Sequence, residues 1–322
     1  MSLSALYKEL KYDLNDIETQ LEQAVAVDEP ILRQAAFQLL KAGGKRIRPM
    51  FVLLSANYGD ASREDIKKVA VTLELIHSAS LVHDDVIDNA ELRRGKQTVK
   101  ARWDNRVAMY TGDFLFARAL EIVGEVRQKN AHTVLSKAFM DMCLGEIVQI
   151  EDQYNWQQNF RNYLLRIKRK TALLMAVSCH LGAVAAGAPN HISDDLYRYG
   201  YYIGMSYQII DDILDFVGTE KQLGKPAGGD LRQGNVTLPT LLALKNPEIK
   251  GSLYTCLKAA EEDPAKWDSA IAIIRASGAI EASRTLSDRY LNKAYQILKR
   301  LPSTHTTRSL GWIADSIGKR KF

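Results

Sequence analysis

Val69-Ala70-Val71-Thr72-Leu73-Glu74-Leu75-Ile76-His77-Ser78-Ala79-Ser80-Leu81-Val82-His83-Asp84-Asp85-Val86-Ile87-Asp88 reads as one mostly apolar helix, buried over much of its girth, that ends in an aspartate cluster. A second helical pattern, over 192–216, carries a cluster of the same form, Asp211-Asp212-Ile213-Leu214-Asp215. In an α-helix positions i and i+4 lie one above the other, so Asp84 with Asp88, and Asp211 with Asp215, each present carboxylates along one face. Like charges stacked in this way repel. The arrangement becomes favourable when hard divalent cations bind between them, and Mg²⁺ with oxygen ligands and a phosphate-bearing substrate is the natural guest. Two such faces turned toward each other would hold a diphosphate through bridging metals.

A single Asp-Asp-x-x-Asp is readily explained as a solvated helix end. Two copies, each flanked by Val, Ile and Leu that bury the helix, are not, because a buried cluster of unpaired carboxylates costs several kcal/mol per charge. The apolar residues between the acids and the missing loop glycine exclude an EF-hand.

Around these clusters the chain reads as all-helical. Its 322 residues include only 20 glycines and 8 prolines, and segments of helix formers dominate. Apolar residues recur at steps of three and four from Leu3 to Val25, the pattern of an amphipathic helix. Further helices are predicted over 35–41, 50–58, 112–126, 131–152, 160–186 and 238–244, followed by others to the C-terminus. The Arg- and Lys-rich stretch 89–105 and the glycine-broken stretch 218–236 each follow an aspartate cluster, where loops are placed to close over a substrate. Because a division would separate the two metal faces, residues 1–322 are read as one domain.

A formal charge of +5 suits an anionic small substrate or a membrane-surface encounter better than a nucleic acid. Cys143, Cys179 and Cys256 are odd in number and lack metal-ligand spacing, which points to a reduced, cytoplasmic protein. No stretch has the form of a signal peptide or reaches transmembrane length, so the chain is expected to be soluble and unprocessed.

Several polar groups gather meaning beside the clusters. Gly43-Gly44-Lys45-Arg46-Ile47-Arg48-Pro49 lets backbone approach a ligand closely and follows it with cations able to grip an anion without metal, although it is not a Walker loop. His77 lies two helical turns before Asp84 on nearly the same face. With Arg93 and Arg94 these residues form a second phosphate-binding set, which implies two diphosphates held in different ways. Lys170-Thr171, Gln149 and Gln208 are polar residues in largely apolar helical segments; each alone is most simply an interhelical hydrogen bond.

At this point the chain resembles the trans-polyprenyl diphosphate synthases, with their helical isoprenoid-synthase fold. The resemblance runs through Gly43–Pro49, both aspartate-rich motifs, Arg93-Arg94-Gly95, Lys170-Thr171, Tyr207-Gln208, Gly224-Lys225-Pro226 and Asp230. Within the family it is most similar to the large catalytic subunit of the two-component heptaprenyl or hexaprenyl diphosphate synthases of bacterial menaquinone biosynthesis. The resemblance implies that Lys45, Arg48, His77 and Arg94 bind isopentenyl diphosphate. It implies that Asp84, Asp85, Asp88, Asp211, Asp212 and Asp215 hold Mg²⁺ on an allylic prenyl diphosphate, which Arg93, Lys170, Thr171, Gln208 and Lys225 also contact. It further implies a small regulatory subunit in a heterodimer, and the long product suggests transient membrane contact on release.

Chain length is expected to be set by Ile76, Ala79 and Ser80. Ser80 and Ala79 lie about one turn before Asp84, where short-chain relatives place aromatics, so the product is expected to be roughly C30–C40 at about one isoprene unit per 5.4 Å turn. The rival readings are a single-component short-chain synthase, a helical phosphohydrolase using His83-Asp84, and a non-catalytic partner subunit. The phosphohydrolase leaves the second cluster unexplained, and a non-catalytic homologue would be expected to lose aspartates that are all present here.

Overall fold

The computed structural model describes residues 3–60, 63–93, 95–218 and 227–320. It is all-α, as the sequence pattern requires. In chain order the helices are α1 (Leu3–Glu9), α2 (Lys11–Ala24), α3 (Pro30–Lys41), α4 (Ile47–Ala56), α5 (Arg63–Ile87), α6 (Val99–Arg102), α7 (Asn105–Gly124), α8 (Lys129–Glu151), α9 (Phe160–Ile167), α10 (Leu173–Ala185) and α11 (Asn190–Val217). They continue as α12 (Gly229–Arg232), α13 (Leu238–Ala243), α14 (Pro247–Glu262), α15 (Lys266–Ala276), α16 (Ala279–Leu298) and α17 (His305–Gly318). The strands among the described residues are β1 (Leu92–Arg93) and β2 (Lys96–Gln97), an antiparallel pair with Leu92 opposite Gln97. Among the described residues no helix is long and apolar enough to cross a membrane.

The chain divides into two compact units. The first comprises Met1–Lys137, Leu174–Gly200 and Arg300–Trp312. Its N-terminal amphipathic helix is broken at Leu10, yet the apolar stripe continues through the break, with Leu6, Leu10, Ile17 and Leu21 all buried. Helix α3 begins earlier than the apolar pattern indicates because Pro30 occupies its first turn and the Glu29 side chain accepts from the Ile31 amide. Helix α5 likewise begins before Val69, its first turn carrying Glu64 and Asp65 at the positive end of the helix dipole. It packs more extensively on α7 than on any other helix, and Val69, Leu73, Ile76, Ala79 and Val82 along it are buried.

The second unit comprises Ala138–Leu173, Tyr201–Lys299 and Ile313–Phe322. Its core gathers Trp156, Tyr163, Ile209, Ile213, Phe216, Leu238, Leu253 and Trp267. The continuous helix expected over 160–186 is interrupted. Residues Lys168–Ala172 form a π-helical turn between α9 and α10, a feature that often marks functional sites because the inserted residue redirects the side chains around it. Gly204 of α11 lies against this turn. A Cβ there would stand 2.4 Å from the Ala172 Cα, so only glycine permits the approach.

Candidate active site

In the first unit, α5 delivers its cluster at the C-terminal end of a helix fixed by its buried flanks. His77, Asp84 and Asp88 recur at i, i+7 and i+11, one stripe of the helix. Asp84 and Asp88 are half-buried, whereas Asp85 is 2% exposed and ion-paired with Arg93, Nε to Oδ1 at 2.6 Å. Burial raises the Asp85 carboxyl above its usual range; Arg93 opposes this, and the charges of Asp84 and Asp88 add to it. That is the electrostatic strain which a bound cation relieves.

Asp85 and Arg93 line a cleft with His77, Glu74, Arg46 and Gly43. Gly43 has φ +81°, and Arg46 is itself left-handed at φ 42°, so the basic motif makes a tight turn into α4. The turn separates its three cations. Arg46 points inward, paired with Glu18 and with Glu74 at 2.8 Å, and donates to the Leu40 carbonyl at 3.0 Å. Lys45 is exposed, its carbonyl accepting from the Tyr7 hydroxyl, and Arg48 is half-buried in the first turn of α4. The Arg46–Glu74 pair escapes sequence reasoning, although a lone glutamate in a buried helix is a signal that a cation must meet it.

Ile76 and Ala79 are 5% and 0% exposed, while Ser80 is half-buried and its hydroxyl donates back to the His77 carbonyl at 2.9 Å. His83, the residue a phosphohydrolase would use, turns instead to α7: its Nε2 lies 3.2 Å from the Met109 carbonyl oxygen and 3.4 Å from Asp113.

The second unit repeats the pattern. Asp211 of α11 is exposed and Asp212 is 2% exposed; Asp215, 4% exposed, accepts from the Asp230 amide at 3.1 Å. Asp212 Oδ2 accepts from the Tyr163 hydroxyl at 2.7 Å, and its Oδ1 accepts from Gln208 Nε2 at 2.9 Å. Burial pushes the Asp212 pKa up to about 7, with the hydrogen bond from Gln208 opposing. Burial and the Asp212 charge hold the Tyr163 phenol well above its ordinary value, so it remains a donor. The π-helical turn places Thr171 Oγ1 2.6 Å from Gln208 Oε1 and Lys170 Nζ 3.2 Å from both Glu146 Oε2 and Gln149 Oε1. The structure brings Lys170 to Gln149 and Thr171 to Gln208. Arg94 and Lys225 lie outside the described residues.

The middle aspartate of each cluster is thus sunk and held by protein donors, Asp85 by Arg93 and Asp212 by Tyr163 and Gln208. Asp84, Asp88 and Asp211 keep accessible oxygens, hard donors suited to a divalent cation, while Asp215 is buried like the middle pair. No group of three His, Cys, Asp or Glu side chains among the described residues closes into a metal site by itself. A metal completed by substrate phosphates fits such a donor set.

These features define a class: the polyprenyl synthetase family model matches residues 29–274, and the chain belongs to that family of prenyltransferases with the isoprenoid-synthase fold. Among its relatives, heptaprenyl diphosphate synthase component 2 of Bacillus subtilis is 57% identical over 322 residues, covering 100% of this chain and 92% of that one. Its counterpart from Geobacillus stearothermophilus is 55% identical over 322 residues, covering 100% of both. The crystal structure of heptaprenyl diphosphate synthase from Staphylococcus aureus, 42% identical, superimposes with a TM-score of 0.91 over 97% of this chain and 98% of that one. A Caulobacter crescentus polyprenyl synthase complexed with calcium and isoprenyl diphosphate, 33% identical, gives a TM-score of 0.93 over 99% and 98%.

Proposed function

We propose that this protein is the catalytic subunit of an all-trans heptaprenyl diphosphate synthase. It adds isopentenyl diphosphate units to an allylic diphosphate such as farnesyl diphosphate, for the menaquinone side chain. The observation that carries the reading is the pair of aspartate-ended buried helices, in a chain 57% identical over its full length to a heptaprenyl diphosphate synthase component. Residues 1–322 act as one synthase domain, a reading supported by a family match that runs through both compact units.

Lys45, Arg48, His77 and Arg94 bind isopentenyl diphosphate in this reading. Arg93, Lys170 and Lys225 bind the allylic diphosphate together with Asp84, Asp85, Asp88, Asp211 and Asp215 of the two aspartate clusters. Mg²⁺, when bound at those carboxylates, neutralises charge growing on the leaving diphosphate. Lys170 adds a fixed positive charge on the same leaving group, lowering the barrier to C–O cleavage. The C–O electron pair departs with the diphosphate, and the allylic cation left behind faces the Thr171 hydroxyl and the Gln208 amide oxygen, whose dipoles stabilise it while apolar walls exclude water. The isopentenyl double bond attacks the cation, forming the new C–C bond. A proton then leaves the adjacent carbon for the departed diphosphate, so no protein general base is required.

The partner is a smaller helical subunit, a reading supported by the designation of the Bacillus subtilis and Geobacillus stearothermophilus relatives as component 2. The deciding experiment incubates the purified chain with Mg²⁺, farnesyl diphosphate and labelled isopentenyl diphosphate, with and without a candidate small subunit. Long-chain product only in the combined reaction supports both parts of the proposal. Phosphate release without elongation would overturn it, and long-chain product from the isolated chain would remove the partner.

A further inference from the structure

Asp212 Oδ1 and Oδ2 are both engaged by side-chain donors of the second unit, and those donors connect outward to the reacting region. Gln208 stands one helical turn before Asp212 on α11, which brings its Nε2 within 2.9 Å of Asp212 Oδ1. An amide has one donor end and one acceptor end. With Nε2 committed to a carboxylate, Oε1 is forced to the opposite side, where the Thr171 hydroxyl donates to it at 2.6 Å. The orientation of Gln208, which decides whether it presents a negative or a positive dipole, is therefore set by Asp212. Asp212 is in turn oriented by Tyr163, whose hydroxyl donates to Oδ2 at 2.7 Å. Tyr163 is fully buried, and its ring is held by the equally buried Arg166, whose guanidinium carbon lies 5.7 Å from the ring centroid and whose Nη2 donates to the Val236 carbonyl. Asp211 offers a contrast. Its side chain is 49% exposed, whereas Asp212 is 2% exposed and has each of its oxygens taken by a protein donor.

We infer that Tyr163 and Asp212 are positioning residues for prenyl transfer, acting through Gln208 to aim its amide oxygen, and that Asp212 is not a metal ligand. The inference rests on the proposed synthase activity and names the device that pre-organises the cation-facing dipole. Losing the Tyr163 hydrogen bond frees the Asp212 carboxylate to rotate, and the Gln208 amide with it. The consequence falls on the chemical step and not on binding of either diphosphate.

The test is a double-mutant cycle on the complete enzyme, with its partner subunit if elongation requires one. Tyr163→Phe keeps the ring and its packing; kcat is expected to fall about tenfold with KM for both substrates unchanged. In a Gln208→Ala background the same substitution is expected to cost nothing further, since its route of action is gone. Should Tyr163→Phe fail to fold, Asp212→Asn carries the same cycle, because Tyr163 and Gln208 donate to different oxygens of Asp212 and the amide replaces one of those acceptors with a donor. Titration with Mn²⁺ and inorganic diphosphate should give the same affinity for Asp212→Asn as for the parent, while Asp211→Asn loses it. Equal cost in the presence and absence of Gln208, an effect confined to KM, or weakened Mn²⁺ binding by Asp212→Asn would each overturn the inference. A parent enzyme that does not elongate farnesyl diphosphate would instead overturn the synthase reading, a distinct result.

Discussion

Arg320 Nη1 stands 3.0 Å from Asp211 Oδ1, and the Arg320 guanidinium carbon lies 4.6 Å from the centre of the Tyr207 ring. Tyr207 and Asp211 are one turn apart on α11, so the C-terminal arginine is held by a ring below and a carboxylate above. A cation from the chain itself therefore neutralises the most exposed member of the second cluster. A divalent ion binding at Asp211 Oδ1 competes with it. Arg320→Ala is expected to tighten Mn²⁺ binding in the presence of inorganic diphosphate, by up to about fivefold given the worth of a partly exposed ion pair. Calorimetric titration reads this directly; weaker binding would show that Arg320 grips the diphosphate and does not compete with the metal.

Asp84→Ala and Asp211→Ala are each expected to lower kcat by roughly two or more orders of magnitude, because the charge on the leaving group loses its counterion support. The folded protein should not suffer. Asp84 is half-buried beside Asp85 and Asp88, so removing it relieves carboxylate repulsion, and removing exposed Asp211 gives up only its partly exposed pair with Arg320, worth at most about 1 kcal/mol. Turnover and thermal unfolding measured on the same samples check the pair of expectations. Near-normal kcat in either variant would sink the assignment.

Gly204→Ala tests the π-helical turn that carries Lys170 and Thr171. The added Cβ meets the Ala172 backbone at 2.4 Å, a contact that no side-chain rotation relieves. A loss of about 1–3 kcal/mol is expected from overpacking, read as a lower denaturant midpoint at unchanged slope. Activity should fall further than stability alone explains, because displacing residue 172 moves Thr171 from Gln208. Unchanged activity in a destabilised variant would detach the turn from the chemistry.

The helices α5 and α11 were legible because their apolar periodicity and their terminal aspartates are both local features of the sequence. The roles of the polar groups around them were legible only as a set: Lys170, Thr171 and Gln208 look like isolated polar residues until their chain positions are matched to a family pattern. Tyr163 was not legible at all. A buried tyrosine on an amphipathic helix has the same signature whether its hydroxyl reaches a catalytic carboxylate or a neighbouring carbonyl. The π-helical turn was equally hidden, since Ile167-Lys168-Arg169-Lys170-Thr171-Ala172 has ordinary helical propensity and the turn depends on how α11 passes at Gly204. Helix ends at Pro30 and Arg63 were missed for a simpler reason. Their first turns are polar or capped, and an apolar period cannot register them.

The geometry of α5 separates the three candidate rulers of product length, Ser80, Ala79 and Ile76. Ser80 and Ala79 both lie about one turn before Asp84, and Ile76 about a turn deeper, with Thr72 beyond it. Ala79 and Thr72 are 0% exposed and Ile76 is 5% exposed, so these positions are packed by the protein itself. Ser80 is half-buried, and its hydroxyl is satisfied by the His77 carbonyl of its own helix, so that bond can be given up without leaving another side chain unpaired. Phenylalanine at Ser80 enters from a partly open position, whereas at fully buried Ala79 it must first displace packed neighbours and will cost stability as well. Ser80→Phe is expected to shorten the product toward roughly C15–C20, since each turn rises about 5.4 Å and one isoprene unit spans a similar length. Ala79→Phe is expected to do the same in whatever fraction folds. Mass spectrometry of the dephosphorylated products decides it: if Ser80→Phe, shown to be folded and active, still makes the parental chain length, the growing tail does not run along this flank of α5.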